Sequence, residues 1–233
     1  MYEYAERAGA RIAYRASGSG PAVVLIKNNR RPPDLPIADW LAQRFRVLQI
    51  HPVGFGASDR PDEYDFGSIG DQVLTVLDHQ GIDQFAVWGF SQPACMSAMA
   101  ARSTDRATAL VMGGVPPIGF PTEAEMGRME REPRLPRPAL EFWRSYRAHD
   151  WHHELRLYSG AKVAYLGTAD PAIRRFRRLK PVLEGIGFTY LEFDGLTHST
   201  CGLGDASADG RRVARTVVDS LISRSAVQAG RGG

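Results

Sequence analysis

What most constrains this chain is the regular alternation of short apolar, β-branched runs with stretches of helical spacing. The runs are Ala22–Ile26, Arg46–Ile50, Phe85–Trp88, Ala109–Met112, Lys162–Leu166 and Thr189–Phe193. Five of these six are nearly continuous in apolar residues, the pattern of strands covered on both faces. Between or after them come Ile37–Arg44, Ile69–His79, Ala94–Arg102, Pro171–Leu183 and Arg211–Ser223, whose apolar positions recur at helical spacing. Strand and helix alternating in this way predict an α/β fold, a mostly parallel sheet with helices on both faces. Tyr2–Arg7 and Arg11–Arg15, around Gly9, add an antiparallel hairpin on one edge.

One stretch interrupts the alternation. Pro116 to Tyr158 holds six prolines, no strand-like run, and a wet, aromatic helical pattern around Trp143, Tyr146 and Trp151. An insertion between two strands of an open sheet commonly lies over the ends of the strands, where ligands bind. The expected organisation of the 233 residues is therefore a core of 1–120 and 159–225, a lid insertion of 121–158, and a flexible small-residue tail of 226–233. That length suits one large domain.

Composition removes several classes of function. A pI near 9.0 invites a nucleic-acid reading, but the net charge is only +3. Acids are interspersed throughout and no basic stripe carries interleaved aromatics, so no nucleic-acid partner is expected. The longest apolar run, Ala22–Ile26, is too short to cross a bilayer, and the first fifteen residues have no apolar signal core. Two cysteines, Cys95 and Cys201, make no disulfide framework. A cytoplasmic protein with a small-molecule substrate is expected, without membrane partner, cofactor or metal. Of the 29 basic residues only Lys27, Lys162 and Lys180 are lysines.

The strongest chemical signal is Val87-Trp88-Gly89-Phe90-Ser91-Gln92-Pro93-Ala94. An apolar strand runs through a glycine into a serine and then into a helix of small residues. A serine on so sharp a turn is lifted above the sheet, and the N–H of Gln92 behind it opens a helix, where the dipole favours negative charge. Both suit a nucleophile that generates an oxyanion. Such a serine needs a base, and the base an orienting acid. Downstream, Leu166-Gly167-Thr168-Ala169-Asp170 ends one strand with an acid, and Phe193-Asp194-Gly195-Leu196-Thr197-His198 ends the next with a histidine. The order Ser91, Asp170, His198 sets all three at strand ends along one edge of the sheet.

At these residues the chain resembles the α/β-hydrolase superfamily, particularly its small serine esterase-like members, from about Arg11 to Ile222. Arg11-Ile12-Ala13-Tyr14, Gly54-Phe55-Gly56-Ala57-Ser58-Asp59-Arg60-Pro61, the serine turn, Gly167–Asp170 and His198 fall in that family's order. The resemblance implies Ser91 as nucleophile, His198 as general base, Asp170 as its orienting acid, and the amides of Asn29 and Gln92 as the oxyanion hole. The chain departs from the family's pattern at three places. Lys27-Asn28 stands where His-Gly is usual, His51-Pro52-Val53 where an aspartate usually opens the segment, and Pro93 where the serine turn usually ends in glycine.

Other residues have structural as well as functional readings. Lys27, Asn28 and His51 sit at strand ends over the crevice and, with Trp143, Tyr146 and Trp151 of the lid, are candidates for substrate contact. Asp170 can also cap the helix at Pro171, and Asp194 is the rival acid, placed to shape a turn. His149, His152 and His153 have a metal-compatible spacing without an accompanying carboxylate or cysteine motif. The lid arginines Arg128, Arg131, Arg134, Arg137, Arg144 and Arg147 read as a solvated face, with an acidic or carrier-protein-bound substrate as the alternative. Three functions stay open at this point. The first is a serine hydrolase of an ester, thioester or lactone with a medium-sized, partly apolar substrate. The second is a non-hydrolytic enzyme on the same triad (acyl transfer, cyclisation, lyase or C–C bond chemistry), and the third a catalytically silent ligand-binding protein.

Overall fold

The computed structural model describes residues 1–29 and 34–229, with side chains as far as Leu221. Strands β1 (Glu3–Arg7), β2 (Ala10–Ser17), β3 (Ala22–Ile26), β4 (Arg46–Ile50), β5 (Phe85–Phe90), β6 (Ala107–Gly113), β7 (Ala161–Gly167) and β8 (Phe188–Phe193) form one sheet. Their order across it is β1-β2-β4-β3-β5-β6-β7-β8. From β4 to β8 every neighbouring pair is parallel, whereas β1 and β2 join as an antiparallel hairpin at the edge. Ala8 and Gly9 both adopt positive φ in the hairpin, the conformation whose twist matches two right-twisted strands.

The continuous apolar runs are explained by two cores, one on each face. In β3, Val24 and Ile26 enter one core while Val23 and Leu25 enter the other. The first core takes α2 (Ile69–His79), α3 (Gln92–Arg102) and α7 (Ile173–Gly185), and the second takes α1 (Pro36–Leu41) and α8 (Ala208–Ala229). With both strand faces apolar and covered, alternation would have been the wrong pattern to expect. Helix α1 is shorter than the Ile37–Arg44 pattern. Beyond Leu41 the chain tightens into three-residue turns, Gln43 N–H to the Trp40 carbonyl and Arg44 N–H to that of Leu41, before Arg46 bonds Pro21 and enters β4. The tail expected to be loose from 226 is helical to Ala229, and 230–233 lie outside the described residues.

Between β6 and β7 the chain forms α4 (Glu123–Glu130), α5 (Arg137–Arg147) and α6 (Trp151–Leu157). Thr122 and Glu125 close a reciprocal capping box at the start of α4. The aromatic pattern taken for one wet helix is instead split between α5 and α6 and buried. Phe142, Tyr146, Trp151 and Leu155 belong to the first core, with Tyr146 stacked on Trp151 at 4.3 Å between ring centres. The polar ends of both rings are satisfied internally, Tyr146 Oη by the Pro117 carbonyl (3.2 Å) and Trp151 Nε1 by the Tyr146 carbonyl (2.7 Å). Lys162 of β7 donates its buried ammonium to the Leu155 and Tyr158 carbonyls, which closes the end of α6. The insertion is thus packed as part of the core and roofs the strand ends.

This packing sets an expected cost. Trp151→Ala removes a stacked, hydrogen-bonded ring from a filled interior and is expected to destabilise the fold by about 3–5 kcal/mol in urea denaturation. A loss under about 1 kcal/mol would mean that the insertion is not docked in this way.

Candidate active site

All the strands from β3 to β8 run in parallel, so the residues that follow them meet on one edge. Ser91 follows β5 at φ 62° and ψ −134°, a conformation costly for a residue with a Cβ. It is held there from two sides. Its N–H bonds the Gly113 carbonyl of β6 at 2.8 Å, and its own carbonyl accepts the Ala94 N–H at 2.9 Å. Gly89 is required just before it, because a Cβ at that position would overlap the Pro93 carbonyl. Pro93 lies in the first turn of α3, where a missing N–H costs nothing, and Gln92 opens the helix with one of its unpaired donors.

Asp170 follows β7 and is 2% exposed. Its two oxygens have separate tasks: Oδ2 lies 2.7 Å from His198 Nδ1, and Oδ1 accepts the Ala172 N–H at 2.8 Å. Asp170 does not cap the helix: α7 begins at Ile173 with Ala172 at its N-cap, and the Oδ1 bond to the Ala172 N–H instead shapes the turn before it. Paired in this way, a neutral His198 carries its proton on Nδ1 and leaves Nε2 as a base. The imidazole is half-exposed and rests against Phe90, 4.8 Å between ring centres. Gly167 lets β7 and the His198 loop meet, since a Cβ there would overlap the Leu196 carbonyl. Asp194, the rival acid, is spent on its turn, accepting from Thr168 Oγ1 at 3.1 Å. Cys201 is fully buried, and burial, reinforced by the charge of Asp170, pushes its thiol up to about 12.

Two cavities flank Ser91 and His198. One, of about 520 Å³, lies under the insertion and is walled by Val115, Phe120, Met129, Leu135 and Trp143. The other, of about 320 Å³, is bordered by Lys27, Asn28, Asn29, Phe90 and Leu203. A third cavity of about 360 Å³ opens at the far end of the strands, between α1 and α8, and touches none of these groups. Phe120, Met129 and Leu135 were missed in the sequence; their apolar character inside an otherwise polar insertion was the available signal.

The segment after β3 is braced against the serine turn. Asn28 Nδ2 donates to Gln92 Oε1 at 2.9 Å, and Lys27 Nζ donates to the Asn29 carbonyl at 2.7 Å. Lys27 is 2% exposed, and burial brings its ammonium down to about 8, with Asp34 opposing the shift. Three of the expected substrate contacts are corrected. His51 is fully buried beneath the Gly54–Asp59 loop: its Nδ1 accepts the Ala57 N–H at 2.7 Å, and a Cβ at Gly56 would strike the ring. Tyr146 and Trp151 face the core and border neither cavity, so of the three expected lid aromatics Trp143 is the one on a cavity wall. His152 and His153 point to solvent, and among the described residues no cluster of three or more potential metal ligands occurs. Lid arginines pair with local acids, Arg137 with Glu141 and Arg144 with Glu130. Among the described residues no helix is long and apolar enough to cross a membrane.

Comparison with known proteins gives a consistent picture. A family profile described as alpha/beta hydrolase fold matches residues 28–164. By sequence, no curated protein matches. Among solved structures, a bromoperoxidase from Bacillus anthracis superposes with TM-score 0.71 at 17% identity, over 96% of this chain and 100% of that one. A serine hydrolase involved in carbazole degradation gives 0.72 at 14% identity, over 95% and 98%. The enol-lactonase from Burkholderia xenovorans gives 0.67 at 22% identity, over 94% and 100%. At these identities the likeness is one of fold.

Two measurements check the site geometry. Asp170→Asn keeps an oxygen for the Ala172 N–H but cannot hold the Nδ1–H tautomer, so ester turnover is expected to fall about 10³–10⁴-fold in kcat with the melting temperature little changed. Both cysteines are buried. The native protein is therefore expected to leave Ellman's reagent unreacted at pH 8 and to titrate fully only after denaturation; a fast native thiol would contradict the burial of Cys201.

Proposed function

The chain belongs to the α/β-hydrolase family, and from that premise we propose that it is a serine hydrolase working through an acyl-Ser91 intermediate. The observation that carries this reading is the 2.7 Å contact between Asp170 and His198, on the wall of the larger cavity, which Ser91 also lines. His198 Nε2 takes the Ser91 hydroxyl proton as Oγ attacks the substrate carbonyl, and the carbonyl oxygen gains the negative charge. The amides of Gln92 and Asn29 stabilise that oxyanion; one such donor is typically worth about 3 kcal/mol. Collapse of the adduct expels the alcohol, thiol or ring oxygen, which takes the proton from His198. Water then repeats the sequence on the acyl-serine, giving up its proton to His198 and restoring Ser91.

The cavities support a substrate class. The larger one, under the insertion, presents Phe120, Met129, Leu135 and Trp143, which favours a hydrocarbon portion. The other, beside Asn28 and Asn29, is more polar. An ester, thioester or lactone of medium size, apolar on one side of the scissile bond and polar on the other, fits both.

Ser91→Ala and His198→Ala are each expected to abolish turnover of p-nitrophenyl esters, and a fluorophosphonate probe is expected to label Ser91 alone. Unchanged activity in either variant would sink the mechanism. Labelling without ester turnover would point to a non-hydrolytic enzyme on the same triad, and no labelling to a binding protein.

A further inference from the structure

Lys27 is a conspicuous expense in this fold. It follows β3 directly, its backbone N–H still bonded to the Ile50 carbonyl of β4 at 2.9 Å, and its side chain is 2% exposed. Burying an ammonium is unfavourable unless its hydrogen bonds are met, and an apolar side chain of equal length would fill the same space at lower cost. A group so placed and so nearly closed to the cavity is poorly suited to bind a substrate anion. One of its donated bonds runs to the carbonyl of Asn29 two residues on, at 2.7 Å.

That bond closes a ring around the whole Asn28–Asn29 peptide. A side chain fastened to the carbonyl of residue i+2 restricts the backbone torsions between, and with them the direction of the Asn29 N–H. A second bond fixes the same segment from outside, from Asn28 Nδ2 to Gln92 Oε1 at 2.9 Å. Gln92 is the first residue of α3 and owns the other amide assigned to the oxyanion. The two amides that must converge on one oxygen come from strands that are neighbours in the sheet, β3 and β5, but the residues concerned lie beyond the ends of their pairing. Nothing in the ladder sets their relative position. Lys27 and Asn28 do.

We propose that Lys27 is a positioning residue of the oxyanion hole, its ammonium bonded to the Asn29 carbonyl so that the Asn29 amide is held toward the oxygen that Gln92 also serves. This rests on the serine-hydrolase reading given above. Preorganised donors act on the charge that develops in the transition state, whereas ground-state binding draws mainly on the cavity walls. Losing the brace therefore weakens kcat and spares KM. Lys27→Met keeps the length of the side chain and removes the desolvation cost of the ammonium, so a loss of activity can be read apart from a loss of fold.

The test uses the full chain, with p-nitrophenyl butyrate as substrate and a fluorophosphonate as the Ser91 probe. Lys27→Met is expected to lower kcat at least tenfold with KM within about twofold, to slow fluorophosphonate labelling in parallel, and to leave the melting temperature equal or higher. A folded Lys27→Met with wild-type kcat, or with a loss confined to KM, overturns the proposal. Should that variant not fold, Lys27→Gln is read by the same two parameters. The two readings fail differently: a wild-type chain that neither labels at Ser91 nor turns over esters defeats the serine hydrolase itself. An active wild type matched by an equally active Lys27→Met defeats only the role given to Lys27.

Discussion

A parallel sheet covered on both faces offers no strand interior to a substrate, so the polar groups of this chain gather where its strands end. Lys27 follows β3, His51 follows β4, Ser91 follows β5, Asp170 follows β7 and His198 follows β8. Each is far from the others in the chain, and the common direction of the strands brings them to one edge. The two cores, with Val24 and Ile26 facing one way and Val23 and Leu25 the other, pack the sheet that carries that edge from both faces. Residues fastened to such a frame need little further ordering when a reaction begins.

Local economies accompany the shared edge. Asp170 holds the turn before α7 with one oxygen and His198 with the other, so the carboxylate facing the histidine is itself anchored. Ser91 bears an unfavourable backbone conformation, which the Gly113 carbonyl and the tight passage of Gly89 past Pro93 enforce. The insertion adds enclosure. Its aromatic rings pack into the main core, so the roof over the larger cavity is tied to the same interior as the sheet.

The fold was largely legible from the chain. Runs such as Ala22–Ile26, Arg46–Ile50 and Ile69–His79 match elements to the residue, because continuous apolar runs and helical spacing are local signals that burial on both faces reinforces. Element ends were less legible: α3 begins at Gln92, two residues ahead of its apolar pattern, since its first turn is set by the serine turn and by Pro93. Side-chain environments were less legible still. His51 occupies a strand end in the sequence pattern, yet the Gly54–Asp59 loop folds over it, with Ser58 Oγ bonding the His51 carbonyl. Tyr146 and Trp151 read as available in a proline-rich, arginine-rich stretch, but packing gives Tyr146 the Pro117 carbonyl, stacks the two rings on each other and seats both in the first core.

By itself, then, the sequence determined the class of fold, the hairpin at its edge, the insertion, and the set of strand ends on which chemistry could stand. These follow from periodicity, turn residues and the order of motifs, all of them properties of neighbours along the chain. Only the tertiary structure decided which strand-end residues face a cavity and which are covered. It turned Asp170 toward His198, closed His51 under a loop, and brought the Lys27 ammonium to the Asn29 carbonyl. Those outcomes depend on how the folded chain packs, and a buried polar group takes its role from the partners that packing brings within reach.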